Sequence, residues 1–233
     1  MISFDDLTFH LDLSKKIYVG YSGGPDSSAL LHLLHINNIS NVEAIHINHN
    51  LSDNSLKWEE HCRKTTNKLG IKCHVDSIDI KLDGDGLESA ARKARYKIFA
   101  KYLKKNEQIL LGHHSDDVAE TFLLRLFRGT GLDGLESLSV KRKVGEGYLV
   151  RPLINLSKKN ILIYLKEQEI SFVKDESNFE EDQDRNYVRN TIIPSIEQRW
   201  ANVTSRISNT ANFIKIRNNS CLLYTSDAAD DLL

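Results

Sequence analysis

An α/β chain is predicted, an open parallel sheet with helices on both faces followed by a small helical extension. Three observations predict it. The first half alternates β-branched or aromatic runs with amphipathic segments, the pattern of parallel strands joined by helical crossovers. Residues Ile17 to Tyr21 run straight into Gly23-Gly24, and then into an apolar-periodic segment marked by Ala29, Leu30, Leu33 and Leu34. From about Tyr187 the pattern is helical alone, interrupted by Pro194, to about Asn218.

The elements follow in order. Lys16–Tyr21 is the first strand, and Asp26, Ser27 and Ser28 open the first helix with acceptor-rich residues. Val42–Ile47 is a second strand, and Asn54–Leu69 a helix ended by Gly70. Cys73–Ile80 is a third strand, Asp83–Gly86 a turn and Leu87–Lys104 a long helix. Gln108–Leu111 is a fourth strand before a helix over Asp116–Arg128. Gly129–Gly134 holds three glycines in six residues and reads as a loop. Leu149–Leu153 is a last short strand, Ser157 caps a helix to Glu169, and Phe172–Asp182 is polar and loop-like. The tail from Cys221 breaks the composition and carries no periodicity that continues the preceding helix. Residues 220–233 are expected to be a non-native end.

Composition bounds the partners. The chain has 233 residues, 40% apolar and 27% charged, with a net charge of −1, ordinary for a globular domain. No apolar run approaches the roughly 20 residues of a membrane span, and the N-terminus lacks a basic region followed by an apolar core. No membrane association and a cytoplasmic location are expected. Three widely spaced cysteines, Cys62, Cys73 and Cys221, form neither a redox pair nor a zinc knuckle. Local basic stretches stand out against the neutral total: Lys141-Arg-Lys143, and the series from Arg185 to Arg217.

Strand, glycine turn and helix N-terminus make an anion site, because amide N–H groups and the helix dipole converge there. No Gly-Lys-Ser or Gly-Lys-Thr string supports a Walker loop. Gly20-Tyr-Ser22-Gly-Gly24 satisfies the pattern of a hydrolase nucleophile elbow, but that fold needs a late histidine and the last one here is His114. In an open parallel sheet ligands bind at the carboxyl ends of strands. The first strand delivers Ser22, Gly23, Gly24, Pro25, Asp26, Ser27 and Ser28. The second delivers His46 and Asn48, and the fourth Gly112 and His113. Asp26 beside a phosphate cradle can hold Mg²⁺ against departing pyrophosphate. Asp117 and Glu120, three apart, share one helix face; two carboxylates there suit metal binding or capture of a cationic amine. Arg92 and Arg95 offer two guanidinium groups from one face of another helix.

The string Ser22-Gly-Gly-Pro-Asp-Ser27 resembles the pyrophosphate loop of N-type ATP pyrophosphatases, a Rossmann-like PP-loop fold. Further strings select one branch of that superfamily: His46-Ile-Asn-His-Asn-Leu-Ser52, Glu88-Ser-Ala-Ala-Arg-Lys-Ala-Arg-Tyr96, Gly112-His-His-Ser-Asp-Asp-Val-Ala-Glu-Thr121, Arg128-Gly-Thr-Gly-Leu-Asp-Gly-Leu135, Arg151-Pro-Leu153, Asp175-Glu-Ser-Asn178 and Asp184–Pro194. In order, from about residue 15 to 218, they are similar to the tRNA(Ile)-lysidine synthetases. The resemblance implies ATP-dependent ligation of free L-lysine to carbon 2 of the wobble cytidine of tRNA(Ile) with a CAU anticodon. An adenylated cytidine is the intermediate, and AMP and pyrophosphate are released. It implies Asp26 as organiser of Mg²⁺ and pyrophosphate within the loop. It also implies His113, Asp117 and Glu120 at the reacting centre, with the two carboxylates receiving lysine. Arg92, Arg95, Arg128, Arg185 and Arg189 would meet phosphate or tRNA, and a homodimer is admitted. The implied organisation is a PP-loop domain over 1–186 and a helical extension toward the tRNA over 187–219. A tRNA thiolase, a GMP-synthetase-like amidase and a nucleotide-binding module without catalysis are the alternatives. The cysteine set argues against the first, and the want of a glutaminase part against the second.

Overall fold

The computed structural model describes residues 7–49, 52, 54–78, 87–173 and 184–230, with side chains left out at 87–88 and 219–230. The expected turn at Asp83–Gly86, the end of the third strand at 79–80 and most of the loop to Asp182 lie outside them. The chain divides into two compact units, residues 1–113 with 140–175, and residues 114–139 with 176–233. This division is not the expected one at 186/187: the helix that opens at Ser115 belongs with the C-terminal helices.

The first unit is built on a six-stranded sheet. Its strands are β1 (Ile17–Gly20), β2 (Val42–Asn48), β3 (Lys72–Ser77), β4 (Gln108–Leu110), β5 (Lys141–Val144) and β6 (Gly147–Val150), in the order β3-β2-β1-β4-β6-β5. All pairings are parallel except that of β5 with β6. The helices are α1 (Pro25–Ile36), α2 (Ser55–Lys68), α3 (Leu87–Tyr102) and, after β6, α6 (Lys158–Glu167). Strand residues alternate faces, and the two cores divide accordingly. Ile17, Val19, Ala44, Leu110 and Val150 pack with Leu30, Leu34, Cys62, Ile161 and Leu165 from α1, α2 and α6. Tyr18, Ile45, Ile109 and Leu149 pack with Ile98 and Phe99 of α3. Helices thus cover both faces, as expected, which is why the central strands read as continuous apolar runs.

The direction in which successive strands are added to the sheet reverses between the parallel neighbours β1 and β4. From β1 the chain winds outward through β2 and β3, then returns to β4 on the other side. That switch point is where such sheets hold ligands. The last strand is Gly147–Val150 instead of Leu149–Leu153, and it forms a hairpin with an antiparallel strand that was not anticipated. Gly145, at φ +56°, makes its tight turn. The cationic Lys141-Arg-Lys143 run is this edge strand, where charge discourages pairing with another chain.

The second unit contains α4 (Ser115–Phe127), a short α5 (Leu132–Leu135), α7 (Asp184–Tyr187), α8 (Ile193–Arg199) and α9 (Val203–Asp230). The glycine loop at 129–134 therefore ends in a helical turn. Helix starts at Asp184 instead of Tyr187, and the break comes at Trp200–Asn202, not at Pro194. Val188–Ile192 is a π-turn in which the Ile193 N–H reaches the Val188 carbonyl; the widened turn makes room for a proline whose ring and missing N–H would break a regular helix. The α9 backbone continues through the tail to Asp230, so the compositional break at Cys221 does not end the helix. Among the described residues no helix is long and apolar enough to cross a membrane.

Candidate functional site

In the first unit, β1 delivers the glycine loop to the N-terminus of α1, with Gly24 as N-cap and Pro25 at the first turn, where its missing N–H costs nothing. Gly23 sits at φ +81°, and a Cβ there would lie 3.0 Å from the Cys62 sulfur; backbone and packing both require glycine. The serines hold the loop in shape. Ser27 Oγ donates to the Gly24 carbonyl at 3.1 Å and Ser28 Oγ to the Gly23 carbonyl at 3.2 Å, while Ser22 Oγ lies 3.2 Å from Ser27 Oγ. Val173 N–H donates to the Gly23 carbonyl at 2.8 Å. The result is a loop held in one shape at the start of a helix, whose first-turn amides have no carbonyl partners within the helix.

Asp26 projects from that turn, and Lys158, the first residue of α6, donates to both of its carboxylate oxygens at 2.7 and 2.8 Å. Gly112, directly after β4, lies against Asp26: a Cβ at 112 would stand 2.9 Å from the Asp26 carbonyl carbon. Glycine is thus what lets the ends of β1 and β4 close on each other.

His46 donates from Nδ1 to the Tyr21 carbonyl at 2.9 Å. It is 5% exposed, and burial holds it below the usual histidine range, so it is a neutral brace beneath the loop. Asn48, also buried, reaches Glu59 of α2 at 3.5 Å. His113 accepts at Nδ1 from Arg151 Nε at 3.2 Å; in its neutral form the ring proton therefore resides on Nε2. Arg151, just past β6, is 2% exposed, and burial depresses its pKa. The α3 arginines part company: Arg92 lies over the Tyr96 ring, 5.1 Å from its centroid, whereas the charge of Arg95 bears on His49.

The second unit carries a separate constellation of charge. Asp117 and Glu120 lie one turn apart on α4, buried, with Glu120 2% exposed. Arg185 Nε donates to Glu120 Oε2 and its Nη2 to Asp117 Oδ1, both at 2.8 Å. Arg189 donates to the two oxygens of Glu120 at 2.6 and 2.9 Å. Asp117 Oδ2 accepts from the His114 backbone N–H at 2.9 Å, closing the N-terminus of α4. Burial works against the Arg185 charge, but the two carboxylates outweigh it and raise its pKa. Arg128 stands at the end of α4 in an exposed pair with Asp184 at 3.2 Å, of the kind worth little.

Three partners are not legible in the sequence: Lys158 of Asp26, and Arg185 and Arg189 of the α4 carboxylates. Lys158 follows the Ser157 cap in a pair of lysines that gives no signal of its own. Arg185 and Arg189 were placed with RNA, and their spacing was the signal: four residues apart, they share a face able to match the Asp117–Glu120 spacing.

A glycine loop between β1 and α1, set at the switch point of a parallel sheet and braced from β2 and β4, defines a phosphate-binding α/β protein of the nucleotide-binding kind. The family is equally clear. A PP-loop domain model matches residues 4–196, and the chain belongs to that family, which implies use of ATP. It is similar to a tRNA(Ile)-lysidine synthase of Coxiella burnetii (strain RSA 493 / Nine Mile phase I), 40% identical over 206 residues, covering 87% of this chain and 46% of the relative. One from Legionella pneumophila (strain Paris) is 41% identical over 199 residues, covering 84% and 46%. The chain spans about half the length of the curated relatives it matches. Among solved structures, the U34-tRNA thiolase NcsA from Methanococcus maripaludis with its [4Fe-4S] cluster superposes with a TM-score of 0.70 at 19% identity, covering 90% of this chain and 76% of that one, a likeness of fold.

Proposed function

We propose that this protein ligates L-lysine to carbon 2 of the wobble cytidine of tRNA(Ile) with a CAU anticodon, at the expense of ATP and in the cytoplasm. The observation that carries the reading is the 40% identity to a tRNA(Ile)-lysidine synthase over 206 residues. In the first step the cytidine attacks the α-phosphorus of ATP, the bond to the β-phosphate breaks and pyrophosphate leaves. In the second the lysine amine attacks carbon 2, AMP departs, and the amine gives up a proton.

The residues divide this work. The loop from Ser22 to Ser28 receives pyrophosphate on backbone amides and the α1 dipole. Lys158, held on Asp26, adds a cation beside departing charge. Among the described residues no three His, Cys, Asp or Glu side chains gather as a metal site, and Asp26 brings one carboxylate. That donor set fits Mg²⁺, which takes one or two carboxylates and fills its shell from substrate phosphates and water; it would neutralise charge on the leaving group. His113, with Nδ1 engaged by Arg151, acts as a hydrogen-bond donor through Nε2 and orients the nucleotide. Asp117 and Glu120 receive the lysine ammonium by exchange for a guanidinium. Arg189, the more exposed of the two at 35% against 22% for Arg185, is the one that yields, and is then available to RNA phosphate.

Sulfur transfer is the weaker reading. Burial pushes the Cys62 and Cys73 thiols up, away from the reactive thiolate that such chemistry uses.

The test is ATP-dependent incorporation of labelled lysine into tRNA(Ile) bearing CAU, with the methionine tRNA as control. Label on the isoleucine tRNA alone is expected. No label from a preparation that binds both ATP and that tRNA overturns the reading.

A further inference from the structure

Two polar ties join α1 to α6 in the first unit. At the glycine loop, Lys158 holds both oxygens of Asp26 at 2.7 and 2.8 Å. Further along, the Tyr164 hydroxyl lies 2.7 Å from His32 Nδ1. His32 stands six residues after Asp26, and Tyr164 six after Lys158. The matched spacing follows from the sheet. β1 and β6 both run parallel to β4, and α1 and α6 follow β1 and β6 in the chain. The two helices therefore run side by side in one direction, and at 1.5 Å per residue the ties sit about 9 Å apart.

The rest of the interface is apolar, with Leu30, Leu34, Ile161 and Leu165 in one core cluster. Burial of apolar surface is non-directional, whereas a hydrogen bond has a preferred length and angle. The far tie thus adds a directional constraint on the slide and roll of a ten-residue helix. Tyr164 is 9% exposed, and its hydroxyl has no other hydrogen-bond partner among the described residues. Burial pushes that hydroxyl up to about 12 and holds His32 below the usual histidine range. At neutral pH the tyrosine donates and the neutral ring accepts, which leaves the ring proton on Nε2. A phenylalanine would bury the same ring with no polar group to satisfy, so what the hydroxyl contributes is direction.

We infer that Tyr164 is a positioning residue for pyrophosphate release: through His32 it holds α6 in the register that sets the Lys158 ammonium on Asp26. The inference rests on the reading that ATP is cleaved at the β1 loop with Lys158 beside the leaving group. Tyr164 touches no reacting atom, and its effect passes through Lys158.

The test is release of labelled pyrophosphate from ATP by the intact protein with tRNA(Ile) bearing CAU, with rates taken per folded molecule. Tyr164→Phe removes the hydroxyl alone. A displacement of ~1 Å can cost about 100-fold in rate. Half that displacement predicts a fall in kcat of about tenfold, with KM for ATP within about twofold. Lys158→Met should lower kcat by about 100-fold, and adding Tyr164→Phe to it should lower kcat no further. Urea midpoints, by contrast, should fall equally when Tyr164→Phe enters either background. An equal fall in kcat in both backgrounds overturns the proposal in favour of a hydroxyl that serves the fold alone. A wild-type kcat in Tyr164→Phe overturns it too, as does a loss confined to KM. Wild type that binds ATP and that tRNA yet releases no pyrophosphate overturns it together with the reading beneath it.

Discussion

Removing Arg185 should cost far more stability than removing Arg128, the paired arginine at the C-terminal end of α4, and the structure sets the size of the difference. Arg185→Ala deletes two charge-assisted bonds of 2.8 Å, to Glu120 and Asp117. Glu120 is 2% exposed and keeps Arg189, while Asp117 is left 3.7 Å from that guanidinium. Breaking a buried pair costs about 3–5 kcal/mol, and Asp117 keeps part of its compensation, the His114 N–H at 2.9 Å among it. The Arg185 side chain is 22% exposed, so water softens the loss and the lower end applies, about 3 kcal/mol. Arg128→Ala deletes a pair whose side chains are 70% and 75% exposed, and should cost less than about 0.5 kcal/mol. Urea unfolding followed by Trp200 fluorescence, with Trp58→Phe as background, reports on the helical unit. Glu120→Gln completes a cycle: with Arg185→Ala the double variant should lose less than the sum of the singles by about 1–3 kcal/mol. Additive losses, or an Arg185→Ala cost no larger than that of Arg128→Ala, would refute the claim that these four side chains act as one buried unit.

Two further outcomes follow from the first unit. His46 is held neutral by burial and below its ordinary value, so the unfolded chain binds the extra proton first: stability should be full above about pH 6.5 and fall as pH drops toward the depressed folded value. Urea midpoints from pH 5 to 8 check this, and a His46→Asn variant with the same slope as wild type would remove His46 as its source. Asp26→Ala should abolish ATP turnover with the circular dichroism spectrum unchanged; retained turnover would take Asp26 out of the chemistry.

The parallel sheet was legible because its strands are buried on both faces, and burial on both faces is written as unbroken apolar runs such as Ile17-Tyr-Val19 and Ile109-Leu-Leu111. The β5–β6 hairpin was not, for the same reason inverted. An edge strand keeps one side in water, so Lys141-Arg-Lys143 carries charge where a strand signal would otherwise be apolar. Pro194 is different: sequence shows the missing N–H, but not that a π-turn over Val188–Ile192 just before it absorbs it. The unit boundary is hidden because β4 is followed closely by α4 in the chain, and nothing local to Gly112–Ser115 signals that this helix packs with α9.

At the candidate site, what sequence made legible was backbone-determined and what it hid was side-chain pairing. Gly23 and Gly112 could be singled out because a positive φ and a close approach leave glycine as the residue that fits. Asp117 and Glu120 could be singled out because helical period places them together. Their partners come from 65 to 69 residues away in the chain, and Lys158 meets Asp26 across 132; no periodicity links such positions. The consequence is chemical. Read alone, Asp117 and Glu120 are two negative charges awaiting a cation; with Arg185 and Arg189 bound they are neutral as a group. On the proposed reading, a cationic substrate gains no simple electrostatic pull there and exchanges for a guanidinium already in place. Exchange favours a ligand that offers the arginine something in return, and a zwitterionic amino acid does so, since its own carboxylate can accept the guanidinium that its ammonium displaces.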